Sequence, residues 1–173
     1  MASFMDRAVG AAKLDVRIYE EIEADESAFG QAMAVVVLSS IAAGIGSGQG
    51  QLITGAIGAL IAWFIWALLT YVIGTKLLAQ PQTKADVGQL LRTIGFASSP
   101  GILRVFGILP AIGGLVMLVT SLWLLAAMVV AVRQALDYTS TWRAVGVCLV
   151  GWLVVVIWSL VIGGLLSAGG LFG

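Results

Sequence analysis

The chain has 173 residues, of which 60% are hydrophobic and only 10% are charged. A soluble domain carries about 25% charged residues, and one globular domain of this length cannot bury so much apolar surface, so we expect an integral membrane protein. Nine Lys and Arg balance nine Asp and Glu, which leaves no net basic charge for nucleic acid, and the absence of His removes the usual general base and metal ligand.

The first 27 residues are predicted to form an amphipathic helix on the cytoplasmic side. They hold seven of the nine acidic residues. Apolar residues at steps of three and four give this helix one apolar face, so we expect it to lie along the membrane or on the helix bundle. The residues of that face are Met5, Val9, Ala12, Val16 and Tyr19. The acidic end from Glu20 to Glu26 is predicted to be solvated, and residues 1–27 contain no apolar stretch of the kind that a signal peptide needs.

Residues 28–173 are predicted to form a single all-α transmembrane domain, a bundle of five helices. A helix rises 1.5 Å per residue, so about 20 apolar residues cross a hydrocarbon core of about 30 Å. Long uncharged runs predict four spans, and a less regular segment predicts the fifth. The five predicted spans cover residues 28–47, 52–79, 87–109, 110–132 and 144–168.

The third span, 87–109, is ambiguous because it contains Arg92, Pro100 and Arg104. Hydropathy alone allows an interfacial helix or a broken span. With five spans and a cytoplasmic N-terminus, every loop that carries Lys or Arg lies inside, as the positive-inside rule requires. We therefore predict five spans in the cell (inner or plasma) membrane, with the C-terminus outside. We also expect a kink at Pro100, where a neighbouring hydroxyl such as Ser99 satisfies the freed carbonyl.

Small residues spaced four apart form the first candidate interaction surface. Such spacing lets helix backbones approach closely inside a membrane. It predicts packing within the bundle, or a face for a second copy of the chain or for another membrane protein. The candidate residues are Gly44, Gly48, Gly95, Ser99, Gly163, Gly164, Ser167 and Ala168.

Arg104 is the second candidate, because the five-span topology places it near the outer surface and every acidic residue on the inner side. A charge left unpaired in the membrane is costly. Its expected partner is a lipid phosphate, a set of backbone carbonyls or another chain. Arg92 lies near the inner end and is interpreted as an interface anchor, and Pro100 completes this set of candidate lipid or partner contacts.

The residues needed for catalysis or for a metal site are missing from the sequence. There is no His, and the one cysteine, Cys148, lies in an apolar run that predicts an inert buried thiol. No acidic residue falls inside a predicted span, which disfavours ion-coupled transport. No GxSxG, Walker or HExxH motif occurs. We therefore expect a protein that is not an enzyme and that binds no cofactor.

Two stretches of the chain resemble the Yip family, which is named for membrane proteins that interact with Ypt/Rab GTPases. Residues 19–46 resemble the beginning of the first span in bacterial members, and residues 90–145 are similar to the middle spans of the family. There a G-aromatic-A-x-x-P element precedes a hydrophobic helix, a Trp and a basic loop. These positions are here Gly95, Phe96, Ala97, Pro100, Trp123, Arg133 and Ala144.

The resemblance implies five membrane helices with a cytoplasmic N-terminus. Eukaryotic members resemble scaffolds that organise trafficking membranes, but their longer cytosolic N-terminal region is largely absent here, so a GTPase partner is not expected. We predict a non-enzymatic membrane scaffold or accessory subunit, surrounded by lipid, that packs laterally against other membrane proteins. Two alternatives stay open. One is a lipid or small-solute transporter or channel, favoured by the broken third span, and the other is a pigment- or quinone-binding subunit, favoured by mid-span tryptophans.

Overall fold

The computed structural model describes the backbone of residues 2–48 and 52–169. It describes the side chains of these residues up to residue 158 and that of residue 160. In chain order the α-helices are α1 Phe4–Ala12, α2 Val16–Ala24, α3 Ala28–Gly46, α4 Leu52–Val72, α5 Val87–Phe96, α6 Gly113–Ala135 and α7 Thr141–Gly169. A π-helical turn, Ile73–Leu77, extends α4, and a 3₁₀ helix, Ser99–Ile108, lies between α5 and α6. The described residues include no strand.

Within the described chain, four helical segments are long and apolar enough to cross a membrane. They are Ala28–Gly46, Leu52–Leu77, Gly113–Ala135 and Thr141–Trp158. The predicted class, an all-α integral membrane protein, is confirmed. The predicted count of five spans differs from these four, because the third predicted span, 87–109, consists of two short helices, neither of which is long enough to span alone.

The break within residues 87–109 follows from Pro100. Proline has no N–H, so the carbonyl of Phe96 loses the donor that a continuous α-helix would supply four residues later. The Ser99 hydroxyl donates to that carbonyl at 2.7 Å. The chain continues as a 3₁₀ helix with the fully buried Pro100 in its first turn, where the missing N–H is not needed. The kink expected at Pro100 is therefore a change of helix type, and Ser99 satisfies the freed carbonyl as expected.

The broken segment still crosses the bundle, beside α3 and parallel to it. A Cβ atom added to Gly95 would lie 2.7 Å from the Cβ of Ala32, near the beginning of α3. A Cβ atom added to Gly107 would lie 3.0 Å from the carbonyl oxygen of Gly46, at the end of α3. Together α5 and the 3₁₀ helix therefore extend over most of the depth of α3, although each is too short to span alone.

The N-terminal segment forms two helices, which corrects the prediction of a single one. Asp15 caps the beginning of α2 by accepting a hydrogen bond from the Arg17 N–H at 3.0 Å, and Leu14 has a left-handed φ of 62°. The turn between the helices resets the helical phase. Met5 and Val9 are exposed, so this part of the predicted apolar face does not pack on the bundle, and its contact with the membrane stays a prediction.

Charge distinguishes the two ends of the bundle. The N-terminal helices, the loop after α4 and the turn between α6 and α7 share one end, where Tyr138 donates to the carbonyl of Gly74 at 2.8 Å and Gln134 bonds Glu20 at 3.2 Å. We name it the charged end, because every charged residue except Arg104 lies in these segments or in the helix turns next to them. Arg104 lies towards the opposite end.

Candidate functional site

A cavity of about 1160 Å³ lies between the helices of the transmembrane domain. Pockets for small ligands have volumes of about 300–1,000 Å³. The walls come from α3, α4, α6, α7 and the junction of α5 with the 3₁₀ helix. Exposed side chains of Ile65 on α4 and Ile157 on α7 both line the cavity, so it opens sideways between these helices, and we name it the lateral cavity. Four of the six tryptophans line it: Trp63, Trp66, Trp152 and Trp158.

Arg104 brings a positive charge to the wall of the lateral cavity. Its Nη2 donates to Ser121 Oγ at 2.8 Å. Its Nε is buried and has no hydrogen-bond partner among the described residues, and Arg104 takes part in none of the ion pairs found there. Part of the guanidinium is thus left without an acceptor from the described chain, and the lipid or partner contact expected for Arg104 stays a prediction.

A second N–H donor on the cavity wall also has no acceptor. Trp66 Nε1 is buried and bonds no atom of the described residues. In contrast, Trp63 Nε1 donates to the carbonyl of Leu91 at 3.1 Å, and Trp123 Nε1 donates to the carbonyl of Ala12 at 2.6 Å. A buried donor without an acceptor costs about 1–3 kcal/mol. Two buried N–H groups beside the lateral cavity, Arg104 Nε and Trp66 Nε1, are therefore unsatisfied within the described chain.

Arg92 caps the end of α2 and does not line the lateral cavity. The residue is only 7% exposed. Its Nε donates to the carbonyl of Ile22 at 3.2 Å, and its Nη2 donates to the carbonyl of Glu23. A cation at the last carbonyls of a helix stabilises that end. The structure thus gives Arg92 a contact within the chain where the sequence suggested an interface anchor.

The small residues proposed as a packing face have separate positions. Gly95 packs on Ala32 of α3, and Ser99 is buried at the break after α5. Gly44 is half-buried within α3, whereas Gly48 lies beyond the end of that helix with a φ of +71°, so it ends the helix and does not belong to a helix face. Gly163, Gly164, Ser167 and Ala168 lie in the part of α7 whose side-chain surroundings fall outside the described residues.

An ion-pair network that sequence reasoning missed docks α1 on α2 and α3. Arg7, whose side chain is 2% exposed, donates to Glu21 at 2.9 Å, to Asp25 at 2.6 Å and to Gln31 at 3.2 Å. The predicted solvated acidic face is therefore wrong for Glu21 and Asp25. The sequence does contain a signal for the burial of Arg7, because this residue lies three or four positions from other residues of the inward face of α1. That face consists of Phe4, Arg7, Ala8 and Ala11.

Residues 16–163 match the Yip1 domain family model, which is well over half of the chain. The chain belongs to the Yip1 domain family. No curated protein and no solved structure gives a significant match. The Yip resemblance seen in the sequence is thus confirmed, and the lateral cavity lies entirely within the Yip1 domain. Proteins of this family are membrane proteins that interact with other proteins, and the family is not known for enzymatic activity.

Glu23 at the charged end of the Yip1 domain is expected to make stability depend on pH. Burial and the nearby carboxylate of Asp137 raise the pKa of Glu23 to about 7, although Arg92 opposes the rise. A raised pKa means that the folded state favours the neutral form of Glu23. The contribution of this group to the stability of the folded state is therefore complete below the unfolded pKa near 4.5, and it is lost as the pH rises through about 7. Glu23→Gln should therefore raise the melting temperature at about pH 8 and change it little at about pH 4.

Thermal unfolding in a mild detergent across this pH range measures the Glu23 effect. Glu26→Gln is the matched control, because Glu26 lies on the same segment and is exposed. The control should keep the wild-type dependence on pH. An unchanged loss of stability between about pH 5 and 8 in Glu23→Gln would assign that dependence to other groups.

Proposed function

We propose that this member of the Yip1 domain family is a non-enzymatic membrane scaffold or accessory subunit that packs laterally against another membrane protein. The observation that carries the proposal is a face of α4. Gly58 is exposed, and a Cβ atom added there would meet no atom within 4 Å. Ala62, four residues later, is exposed as well. Small residues at this spacing let a second helix approach closely, and such close packing drives helix association in lipid.

The use of small residues inside the same domain supports this interpretation. Gly95 and Gly107 let the broken segment lie directly against α3. The small residues Gly58 and Ala62 of α4 are not covered by any other described part of the chain, so this face is suited to contact with a helix from another chain.

The orientation of the protein is part of the proposal. Lys76, Lys84, Arg133 and Arg143 all belong to the charged end, in or next to the loop after α4 and the turn between α6 and α7. By the positive-inside rule this end faces the cytoplasm. We infer a multi-pass protein of the cell membrane, with the N-terminus in the cytoplasm and the C-terminus outside.

Gly58→Leu tests the lateral contact, because a large side chain would keep a second helix away from α4. The full chain is purified from its native membrane in a mild detergent, and the molar ratio of each co-purifying chain to the bait is measured. We expect the ratio of the true partner, or of a second copy, to fall about tenfold, the effect of roughly 1.4 kcal/mol of lost packing.

Gly114→Leu is the matched control, because a Cβ atom at Gly114 on α6 also meets no atom within 4 Å. The control should keep the wild-type ratio. Purification of the wild type as a lone monomer, or equal losses for both variants, would contradict the proposal.

The lateral cavity supports the two alternative functions. Transport of a lipid and binding of a pigment or quinone both require an apolar space that opens into the membrane, and the cavity provides one. Lateral packing is better supported than either alternative, because it requires only the exposed surface of α4 and no conformational change.

A further inference from the structure

We propose that the lateral cavity is a binding site for an anionic phospholipid. The lipid phosphate accepts hydrogen bonds from the Arg104 guanidinium, and an acyl chain fills the apolar part of the cavity. The site adjoins the α4 face formed by Gly58 and Ala62, because Ala62 also lines the cavity, but the inference does not depend on lateral packing.

The headgroup end of the site is defined by Arg104. Nη2 is held by Ser121 at 2.8 Å, which positions the side chain. Nε is buried, whereas Nη1 is not buried and bonds no acceptor among the described residues, so Nη1 is the nitrogen that is free to donate to a ligand. A guanidinium binds phosphate oxygens through parallel hydrogen bonds, which suits it to a phosphate group. The described chain places no carboxylate in an ion pair with Arg104, so its charge favours a headgroup with a net negative charge.

The position of Arg104 along the bundle agrees with a lipid headgroup. The carbonyl of Arg104 lies against Gly46, the last residue of α3, so the guanidinium begins near one end of a membrane-crossing helix. Headgroups of a bilayer lie at this depth, and their acyl chains run from there towards the middle of the membrane. A lipid that enters sideways between α4 and α7 would therefore meet Arg104 with its phosphate.

The apolar end of the site extends from Arg104 towards the charged end. Trp66, which lines the cavity, lies on the side of the charged end. Its position follows from Trp63, one helical turn before it, whose ring packs against Phe29 at the beginning of α3 with 5.8 Å between the ring centroids. Leu124 and Met128 of α6 line the wall between these points. The cavity is thus elongated along the helices and apolar, which is the shape of an acyl chain. Unbranched methionine side chains adapt well to such chains.

Two other kinds of occupant fit only half of the site. A free phosphate ion would satisfy the Arg104 guanidinium but would leave the apolar space beside Leu124 without contacts. A neutral quinone or pigment would fill that space but would leave the positive charge uncompensated in the membrane. An anionic phospholipid satisfies both parts, and it is present at high concentration around the protein.

Native mass spectrometry of the full chain in a mild detergent tests the headgroup. The probes are dioleoyl phosphatidylglycerol, dioleoyl phosphatidylcholine and inorganic phosphate, titrated separately. The wild type should retain phosphatidylglycerol more tightly than phosphatidylcholine and should not retain inorganic phosphate. Arg104→Gln should weaken phosphatidylglycerol binding about tenfold or more, as expected for loss of a charged hydrogen bond, and Arg104→Lys should restore the preference for the anionic lipid in part.

Arg17→Gln is the matched control for the loss of a positive charge. The Arg17 side chain is 88% exposed and lies on α2, outside the cavity, so binding should not change. Equal retention of phosphatidylglycerol by Arg104→Gln and the wild type would overturn the proposal. Equal binding of the two lipids by the wild type would also overturn it, and binding of inorganic phosphate alone would assign Arg104 to a soluble anion.

A second pair of variants tests the chain-binding part without changing any charge. Ala62 is exposed and lines the cavity, so Ala62→Trp should fill the space and reduce phosphatidylglycerol retention about tenfold. Ala126→Trp places the same side chain on an exposed position of α6 outside the cavity, and it should bind like the wild type. Undiminished binding in Ala62→Trp would exclude the cavity as the lipid site.

Discussion

Gly46→Ala is expected to destabilise the protein by about 4 kcal/mol or more, within the range of severe overpacking. A Cβ atom at Gly46 would overlap the backbone carbonyl oxygen of Arg104 and would also contact the Cε methyl group of Met117. A backbone atom cannot move aside as the end of a flexible side chain can. The 3₁₀ helix would therefore separate from α3, and the Arg104 guanidinium would lose its position beside the lateral cavity.

The measurement for Gly46→Ala is thermal unfolding in a mild detergent, followed by tryptophan fluorescence. Gly30→Ala is the matched control in the same helix, because a Cβ atom at Gly30 would meet no atom within 4 Å. Alanine is a better helix former than glycine by about 1 kcal/mol, so the control should be as stable as the wild type or slightly more stable. Equal melting temperatures for the two variants would show that α3 and the 3₁₀ helix are not in contact at Gly46.

The spans are the part of the fold that the sequence predicts well. In lipid every backbone polar group must find a partner inside the chain, so a long apolar run has to be a helix, and its length fixes the bounds. The predicted span 110–132 corresponds to Gly113–Ala135, and the span 28–47 corresponds to Ala28–Gly46. Pro100 is informative for the same reason, because its missing N–H interrupts the helix at a fixed place.

The change of helix type at that break is not predictable from a proline alone. A kinked α-helix would also satisfy the local rules. The 3₁₀ helix is longer than the three or four residues common for this type, so it depends on contacts with its neighbours. Gly107 lies close to Gly46 of α3, and such a contact is visible only in the folded chain.

The candidate site is harder to predict because it is built from residues distant in sequence. The unpaired state of Arg104 follows from the charge pattern, since the acidic residues lie towards the other end of the bundle. The lateral cavity cannot be predicted in this way, because its volume depends on the gaps between six helical segments and not on any one of them. Helical periodicity also predicted one continuous N-terminal helix, whereas the turn at Leu14 divides it into α1 and α2.

Arg7→Met is expected to release α1 from the bundle. Arg7 is buried and donates to Glu21, Asp25 and Gln31. Its removal would take the positive charge away from both carboxylates and leave them only the N–H of Ala2 and the donors of Ser27, while methionine keeps much of the side-chain volume. Removing one member of a buried ion pair is strongly destabilising. The open form of the N-terminal segment should become about tenfold more populated or more, and cleavage by a glutamyl endopeptidase at the glutamates from Glu20 to Glu26 should accelerate in proportion.

Arg17→Met is the control for Arg7→Met, because the Arg17 side chain is 88% exposed and, within the described part of the chain, forms an ion pair only with Asp15 at 3.5 Å. The control should be cleaved at the wild-type rate, and equal rates for all three proteins would mean that the network does not hold α1 in place. Dependence on pH gives an independent test. The Ser27 hydroxyl and Arg7 lower the pKa of Asp25 to about 2, so this carboxylate stabilises the folded state above its ordinary value of 3.8 and ceases to do so as the pH falls towards 2. The difference in melting temperature between the wild type and Arg7→Met should therefore shrink over that interval, because protonated Asp25 no longer distinguishes the two proteins.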